Sequence, residues 1–208
     1  MPKLLVVKLH ALGDVVIHTP ALKRLREGLN DWKIEFLTIP WSAPPVYHSV
    51  RINKLVLIDN DIFFKPRLMT FFPTLQTWWD LKKEKYDAIL VCHRHKMIVT
   101  YFQLLNVRRF FAYNLPGRGV LMDEGHHCVM TAWELGNFAA EALGATSLDK
   151  PELQDIRLEW FISDEEREEA KNILHRWGLD NESFIVFCPG GGVNPRVHSP
   201  DRRWLPEG

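Results

Sequence analysis

LLVVKLHALGDVVIHTPALKRLRE, residues Leu4 to Glu27, is the stretch on which the fold turns. Leu4 to Leu9 is an apolar run broken only by Lys8, the pattern of a strand buried on both faces. The chain then turns at Gly13-Asp14. Val15, Val16, Thr19, Leu22, Leu25 and Leu29 follow at steps of three or four residues, the period of an amphipathic helix. Pro20 lies inside that helical pattern. It removes a backbone donor, so the axis is expected to kink or to restart there.

The same strand-then-helix order repeats along the chain. Strands are expected at Lys33–Ile39, Lys54–Ile58, Tyr86–Cys92 and Arg109–Tyr113. Pro66 and Pro73 interrupt the pattern after the third strand, so a helix is expected only from Thr74 to Lys85. Further helices are expected at Met97–Leu105 and at Cys128–Leu143, the latter ended by Gly144. Residues 114 to 125 carry Pro116, Gly117, Gly119 and Gly125 and read as a loop. Repeated alternation of this kind builds a doubly wound parallel sheet with helices on both faces, an α/β fold of Rossmann-like class.

Near residue 150 the composition changes. ATSLDKPELQD is polar and rich in turn formers. The expected organisation is a domain over 1–150, a linker over 151–162 and the beginning of a second domain over 163–208. Ser163-Asp164-Glu165-Glu166 has the form of a capping box opening a helix. SFIVFC (Ser183–Cys188) reads as a strand, followed by PGGGVNP. One helix and one strand cannot cover both faces of a sheet, so the second domain reads as incomplete.

The chain has 208 residues, and its 26 basic and 26 acidic side chains balance to a net charge of zero. That balance argues against a nucleic-acid-binding surface spread over the molecule. Cys92, Cys128 and Cys188 are scattered and odd in number, which implies no disulfide framework and suits a reducing, cytoplasmic setting. No signal peptide and no run of about 18 apolar residues is visible in the sequence.

Several groups invite a chemical reading. Ligands of open parallel sheets bind at the carboxyl ends of the strands, where Gly13 and Asp14 fall. Gly13 permits a tight turn or the close approach of a ligand. Asp14 is either a helix N-cap or a general base, and the two roles can coexist. Gly190, Gly191 and Gly192 free backbone N–H groups for a phosphate, without forming a Walker loop. Arg196, Arg202 and Arg203 follow, and arginine pairs well with phosphate oxygens. Cys92-His93-Arg94-His95 and His126-His127-Cys128 contain zinc-ligand types but no standard finger spacing, so no metal is expected. His93 and His95, at a strand end, read as polar contacts to a ligand. A different α/β enzyme built on this Cys/His group is a third reading.

KLHALGDVVIHTPALKRLRE resembles the N-terminal signature of glycosyltransferase family 9, the bacterial heptosyltransferases. FIVFCPGGGVNPRVHSPDRRWLPEG resembles the strand, Gly-rich loop and basic Trp-Pro segment that open the second domain in that family. YDAILVC and the helix ending EALGA fit the middle. The resemblance implies a GT-B architecture, with two Rossmann-like domains facing a cleft. It implies an inverting transfer of heptose from ADP-heptose to a lipopolysaccharide-type glycolipid acceptor, without a metal or other cofactor. Asp14 matches the proposed base, and Gly13, His93 and His95 would contact substrate. Gly190, Gly191, Gly192 and Arg202 would hold the donor phosphates, Arg202 standing where the family often has a lysine. The partners implied are a nucleotide sugar and a glycolipid, with peripheral contact at the cytoplasmic face of the inner membrane. The chain itself reads as a truncated, inactive portion of such an enzyme. The alternative is a stand-alone Rossmann-like module that binds a ligand or partner without catalysis.

Overall fold

In the computed structural model, residues 1–59, 67–122, 125–179 and 183–186 are described, residues 67–69 without their side chains. They form two compact units, Met1–Ile162 and Ser163–Gly208. The first unit holds five parallel strands: β1 (Lys3–Val7), β2 (Lys33–Thr38), β3 (Lys54–Leu57), β4 (Ala88–Val91) and β5 (Arg109–Ala112). Their order across the sheet is β3-β2-β1-β4-β5. The chain therefore starts in the middle, builds outward to one edge, and returns to build the other.

Period-two alternation sends neighbouring residues of each strand into opposite layers. Leu4, Val6, Ile34, Phe36, Ala88 and Leu90 face one core, under α1 (Leu12–Ile17), α2 (Thr19–Gly28) and α5 (Cys128–Ala142). Leu5, Val7, Leu37, Ile89 and Val91 face the other, under α3 (Arg67–Lys83) and α4 (Lys96–Gln103). This is the doubly wound α/β arrangement expected from the alternation of strands and helices.

Pro20 restarts the helix, as its missing donor requires. The first segment ends at Ile17, His18 links the two, and Pro20 sits in the opening turn of α2, where its N–H is not needed. Helix α2 packs closely on α5. A Cβ at Gly136 would stand 2.7 Å from the Cβ of Ala21, so only glycine allows that approach. Arg24, buried at this contact, donates from Nε to Asn137 Oδ1 and from its terminal nitrogen to the Thr146 carbonyl. Gly144 closes α5 in the left-handed region at φ +106°.

Three local expectations are corrected. Gly13 and Asp14 do not form the turn; they lie inside α1, which begins at Leu12. Helix α3 runs through Pro73 and starts at Arg67, well before Thr74. Burial of Thr70 and of Leu81, which packs in the core against the sheet, outweighs the hydrogen bond the proline removes. Ser183–Val186 carry no strand, because a parallel strand needs a neighbour to receive its bonds. Phe187 and Cys188 lie outside the described residues.

Residues 151–162 pack as part of the first unit. Arg51 grips the Glu159 carboxylate with two donors at 2.7 and 3.1 Å. The Glu159 N–H donates to Thr19 Oγ1, and the Phe161 N–H to the Pro45 carbonyl. The second unit contributes α6 (Asp164–Arg176), opened by the capping box: Ser163 Oγ accepts from the Glu166 N–H, and Glu166 returns the bond to the Ser163 N–H.

Candidate functional site

The strand order reverses between β1 and β4, so the loops leaving these two strands part and leave a crevice at their carboxyl ends. The loop after β1 carries Lys8, Leu9 and His10; the loop after β4 carries His93 and His95. The fold thus delivers these residues to the place where open α/β sheets bind ligands.

The Lys8–Ala11 loop is pinned from both sides. The Leu9 N–H donates to His93 Nε2 at 2.7 Å. The Leu9 carbonyl accepts from Ser42 Oγ at 2.7 Å, and Ser42 in turn shares a 3.0 Å bond with Thr38. Ser42 belongs to a 3-10 turn, Pro40–Ser42, that leaves β2, so three neighbouring strand ends fix one loop.

This rigid loop presents Lys8, whose side chain is only 8% exposed. A buried ammonium needs a partner, and Asp14 supplies it: Lys8 Nζ donates to Asp14 Oδ2 at 3.0 Å. The Asp14 side chain is 49% exposed. One carboxylate oxygen is therefore held from below while Oδ1 makes no bond among the described residues. Capping is not its task. The N-cap of α1 is Ala11, which has no side-chain bond to offer, and Asp14 sits three residues into the helix. A Cβ on Gly13 would meet nothing within 4 Å, so the space beside Asp14 is open.

Imidazoles surround the pair. His18 is buried between α1 and β5: its Nδ1 donates to the Asp14 carbonyl at 2.6 Å, which leaves Nε2 to accept from Tyr113 Oη at 3.0 Å. Burial, and then the Lys8 charge, lower its pKa to about 4. His93 stacks at 5.5 Å from His10 and is lowered to about 2 by burial and next by Lys8. His10 is lowered for the same two reasons in the same order. These rings are neutral near pH 7, which leaves Lys8 and Asp14 as the charged pair. Burial likewise raises the Tyr113 hydroxyl.

His95, exposed at the start of α4, stands close enough to act electrostatically on both His10 and His93. Gly13, Asp14, His93 and His95 thus all follow the carboxyl ends of β1 and β4, and His10 lies within electrostatic reach of Asp14, His93 and His95. His93 is buried, and its Nε2 already accepts from the Leu9 N–H. Gly190, Gly191, Gly192 and Arg202 lie outside the described residues. Cys92 is buried in the core, its thiol pushed up to about 12 by burial, and Cys128 opens α5 on the surface. Among the described residues no group of three or more His, Cys, Asp or Glu side chains is arranged to hold a metal ion.

Sequence reasoning missed Lys8, His10, His18 and Tyr113. Lys8 left a signal: a lone charge inside a strand buried on both faces must find a counter-charge nearby, and Asp14 is the first carboxylate after it.

No protein-family model matches the chain, and no curated protein does. Solved structures do. A glycosyl transferase of family 9 from Veillonella parvula superposes with a TM-score of 0.73 at 20% identity, over 99% of this chain and 57% of that one. The chain has the fold of that glycosyltransferase. E. coli heptosyltransferase WaaC, solved with ADP, gives 0.57 at 18% identity over 72% of this chain and 49% of its own. E. coli ADP-heptose lps heptosyltransferase II gives 0.56 at 14%, over 84% and 50%. The 208 residues therefore span about half the length of the proteins they match.

Proposed function

We propose that this chain is the acceptor-side portion of an inverting glycosyltransferase, with Asp14 as general base. The observation that carries the reading is the Asp14 carboxylate, anchored through Oδ2 by buried Lys8 and open at Oδ1, in the crevice where the strand order reverses. Inversion needs a base on the acceptor face and phosphate binders on the leaving-group face. Oδ1 takes the proton from an acceptor hydroxyl as its oxygen attacks the anomeric carbon, and the bond to the nucleoside diphosphate breaks with its electrons. His95 contacts substrate. His93 acts through Leu9, keeping the Lys8–Ala11 loop in register. Gly190, Gly191, Gly192 and Arg202 hold the donor phosphates, and neither metal nor cofactor takes part. The donor is a nucleotide-activated heptose, ADP-heptose by the signature, and the acceptor a lipopolysaccharide-type glycolipid. The protein works in the cytoplasm, at the inner face of the membrane.

The domain boundaries proposed are 1–150 and 163–208, joined by 151–162. The 208 residues alone are inactive. The test joins the chain to whatever its reading frame encodes past Gly208. With ADP-heptose, a lipid A-core acceptor and EDTA, we expect transfer with the opposite anomeric configuration to the donor, and none from the 208 residues alone. Retained configuration, or no transfer with any nucleotide sugar, would overturn the reading. The second outcome favours a stand-alone binding module, for which the two-sided core and the Arg51–Glu159 clamp of Met1–Ile162 speak.

Gly13 offers a finer check. Its backbone is not in the left-handed region and a Cβ there meets open space, so Gly13→Ala should leave the fold intact or stabilise it by up to about 1 kcal/mol. If substrate lies against this face, the same methyl raises KM several-fold. An unchanged KM would place the substrate elsewhere.

A further inference from the structure

Helix α3 is apolar on two sides. Its inner side carries the buried Thr70 and Leu81, with Leu81 packed in the core against the sheet. Its outer side leaves Phe71, Phe72, Leu75 and Trp79 exposed by 59, 78, 51 and 53%. At about 100° per residue these four fall within an arc of roughly 100°, centred about 140° from the line of Thr70 and Leu81. A helix of a water-facing surface carries polar residues there. Four large side chains in one exposed stripe make a patch that marks an interaction surface.

The charges at the C-terminal end of the stripe say what covers it. Residues 67–85 contain Arg67, Lys82, Lys83 and Lys85 against Asp80 and Glu84, in a chain whose net charge is zero. Glu84 is engaged by Lys3 at 2.6 Å and Lys54 at 3.1 Å, and Asp80 stands 3.6 Å from Lys83 Nζ, which leaves Lys85 and Arg108 as further cations beside the stripe. Lys82 Nζ lies 5.7 Å from the Trp78 ring and Lys83 Nζ 6.0 Å from the Trp79 ring, so the ammonium groups border the aromatic surface directly. Lys82, Lys85 and Arg108 line one shallow cavity beside them. Aromatic rings flanked by lysine suit the boundary between acyl chains and anionic headgroups. Among the described residues no helix is long and apolar enough to cross a membrane, so the fit is to a surface.

We propose that α3 docks this protein on an anionic lipid bilayer, with Phe71, Phe72, Leu75 and Trp79 entering the headgroup boundary and Lys83, Lys85 and Arg108 meeting lipid phosphates. The proposal rests on the membrane-face location given above and names the surface for it; lipid binding and sugar transfer are read in separate assays, so the docking surface and the glycosyl-transfer reading can fail separately. The docked face lies on the α3 and α4 side of the sheet.

Flotation of the 208-residue chain with vesicles tests it. Binding is expected to phosphatidylglycerol/phosphatidylcholine vesicles, weakening with salt, and not to phosphatidylcholine alone. Phe72→Ser with Trp79→Ser should lower the partition coefficient on the order of a hundredfold, about tenfold for each ring. Lys83→Glu with Lys85→Glu should lower it on the order of tenfold or more, and only on anionic vesicles. Unchanged circular dichroism and melting temperature show that the variants are folded; if a pair fails to fold, Phe72→Ser alone, at the most exposed position, takes its place. Absence of binding to anionic vesicles overturns the proposal. So does binding that the folded variants retain, or a dimer in sedimentation equilibrium that the aromatic substitutions dissolve, which would make the stripe an interface between two copies.

Discussion

Asp14→Asn should reduce kcat of the complete transferase by a factor on the order of 10²–10⁴, the usual contribution of a positioned base. Asparagine keeps an oxygen where Oδ2 now accepts from Lys8 at 3.0 Å, so the loop retains its hydrogen bond while the base is lost. Asp14→Ala is a poorer experiment, because stripping the partner from a buried ammonium destabilises a protein by several kcal/mol. Lys8→Met separates chemistry from architecture. It removes the ammonium and leaves the carboxylate, so a purely structural pair predicts that Lys8→Met, which breaks the hydrogen bond, loses at least as much as Asp14→Asn, which keeps it. A catalytic Asp14 predicts that Lys8→Met retains far more of kcat than Asp14→Asn. Near-normal turnover by folded Asp14→Asn would end the assignment.

The strands were legible because their burial is nearly complete. Leu4–Val7 and Ala88–Val91 have sheet neighbours on both sides and helices on both faces, which leaves little choice but continuous apolar side chains. Pro20 was legible for a similar reason: its ring excludes a helix interior and admits a first turn. Pro73 was misread because local propensity is the weaker term once Thr70 is buried and Leu81 packs in the core against the sheet. The place of Asp14 was legible and its local role was not. A carboxylate near a helix start looks like a cap, and only the position of Lys8, six residues earlier and on the neighbouring strand end, shows what it binds. His18 and Tyr113 lie 95 residues apart, and nothing in a sequence announces a contact between two such polar groups.

Stability should fall steeply as pH drops from about 6.5 toward 4, before the carboxylates contribute. His18 and His93 start from an ordinary value of 6.5 when unfolded and are lowered in the folded state to about 4 and about 2. Between those values the unfolded chain takes up protons that the folded chain refuses. Linkage then makes stability rise with pH through this window, and the contribution is fully present above about 6.5. One pH unit is worth about 1.4 kcal/mol per site, so moving from about pH 7 to pH 5 costs roughly 2 kcal/mol at each imidazole. His10, lowered as well, adds in the same direction. A total of about 4 kcal/mol is a large share of the 5–15 kcal/mol that holds a typical domain together. Glu84, held below its ordinary 4.5 by Lys3 and Lys54, loses its contribution only at lower pH, so the two effects separate along the pH axis. Urea midpoints measured between about pH 7 and pH 4.5 test the histidines. His93→Gln keeps an acceptor for the Leu9 N–H and should flatten about half of the slope, and His18→Gln much of the rest. A midpoint independent of pH over that range would mean that neither imidazole is buried in its neutral form, and the crevice would then carry positive charge beside Asp14.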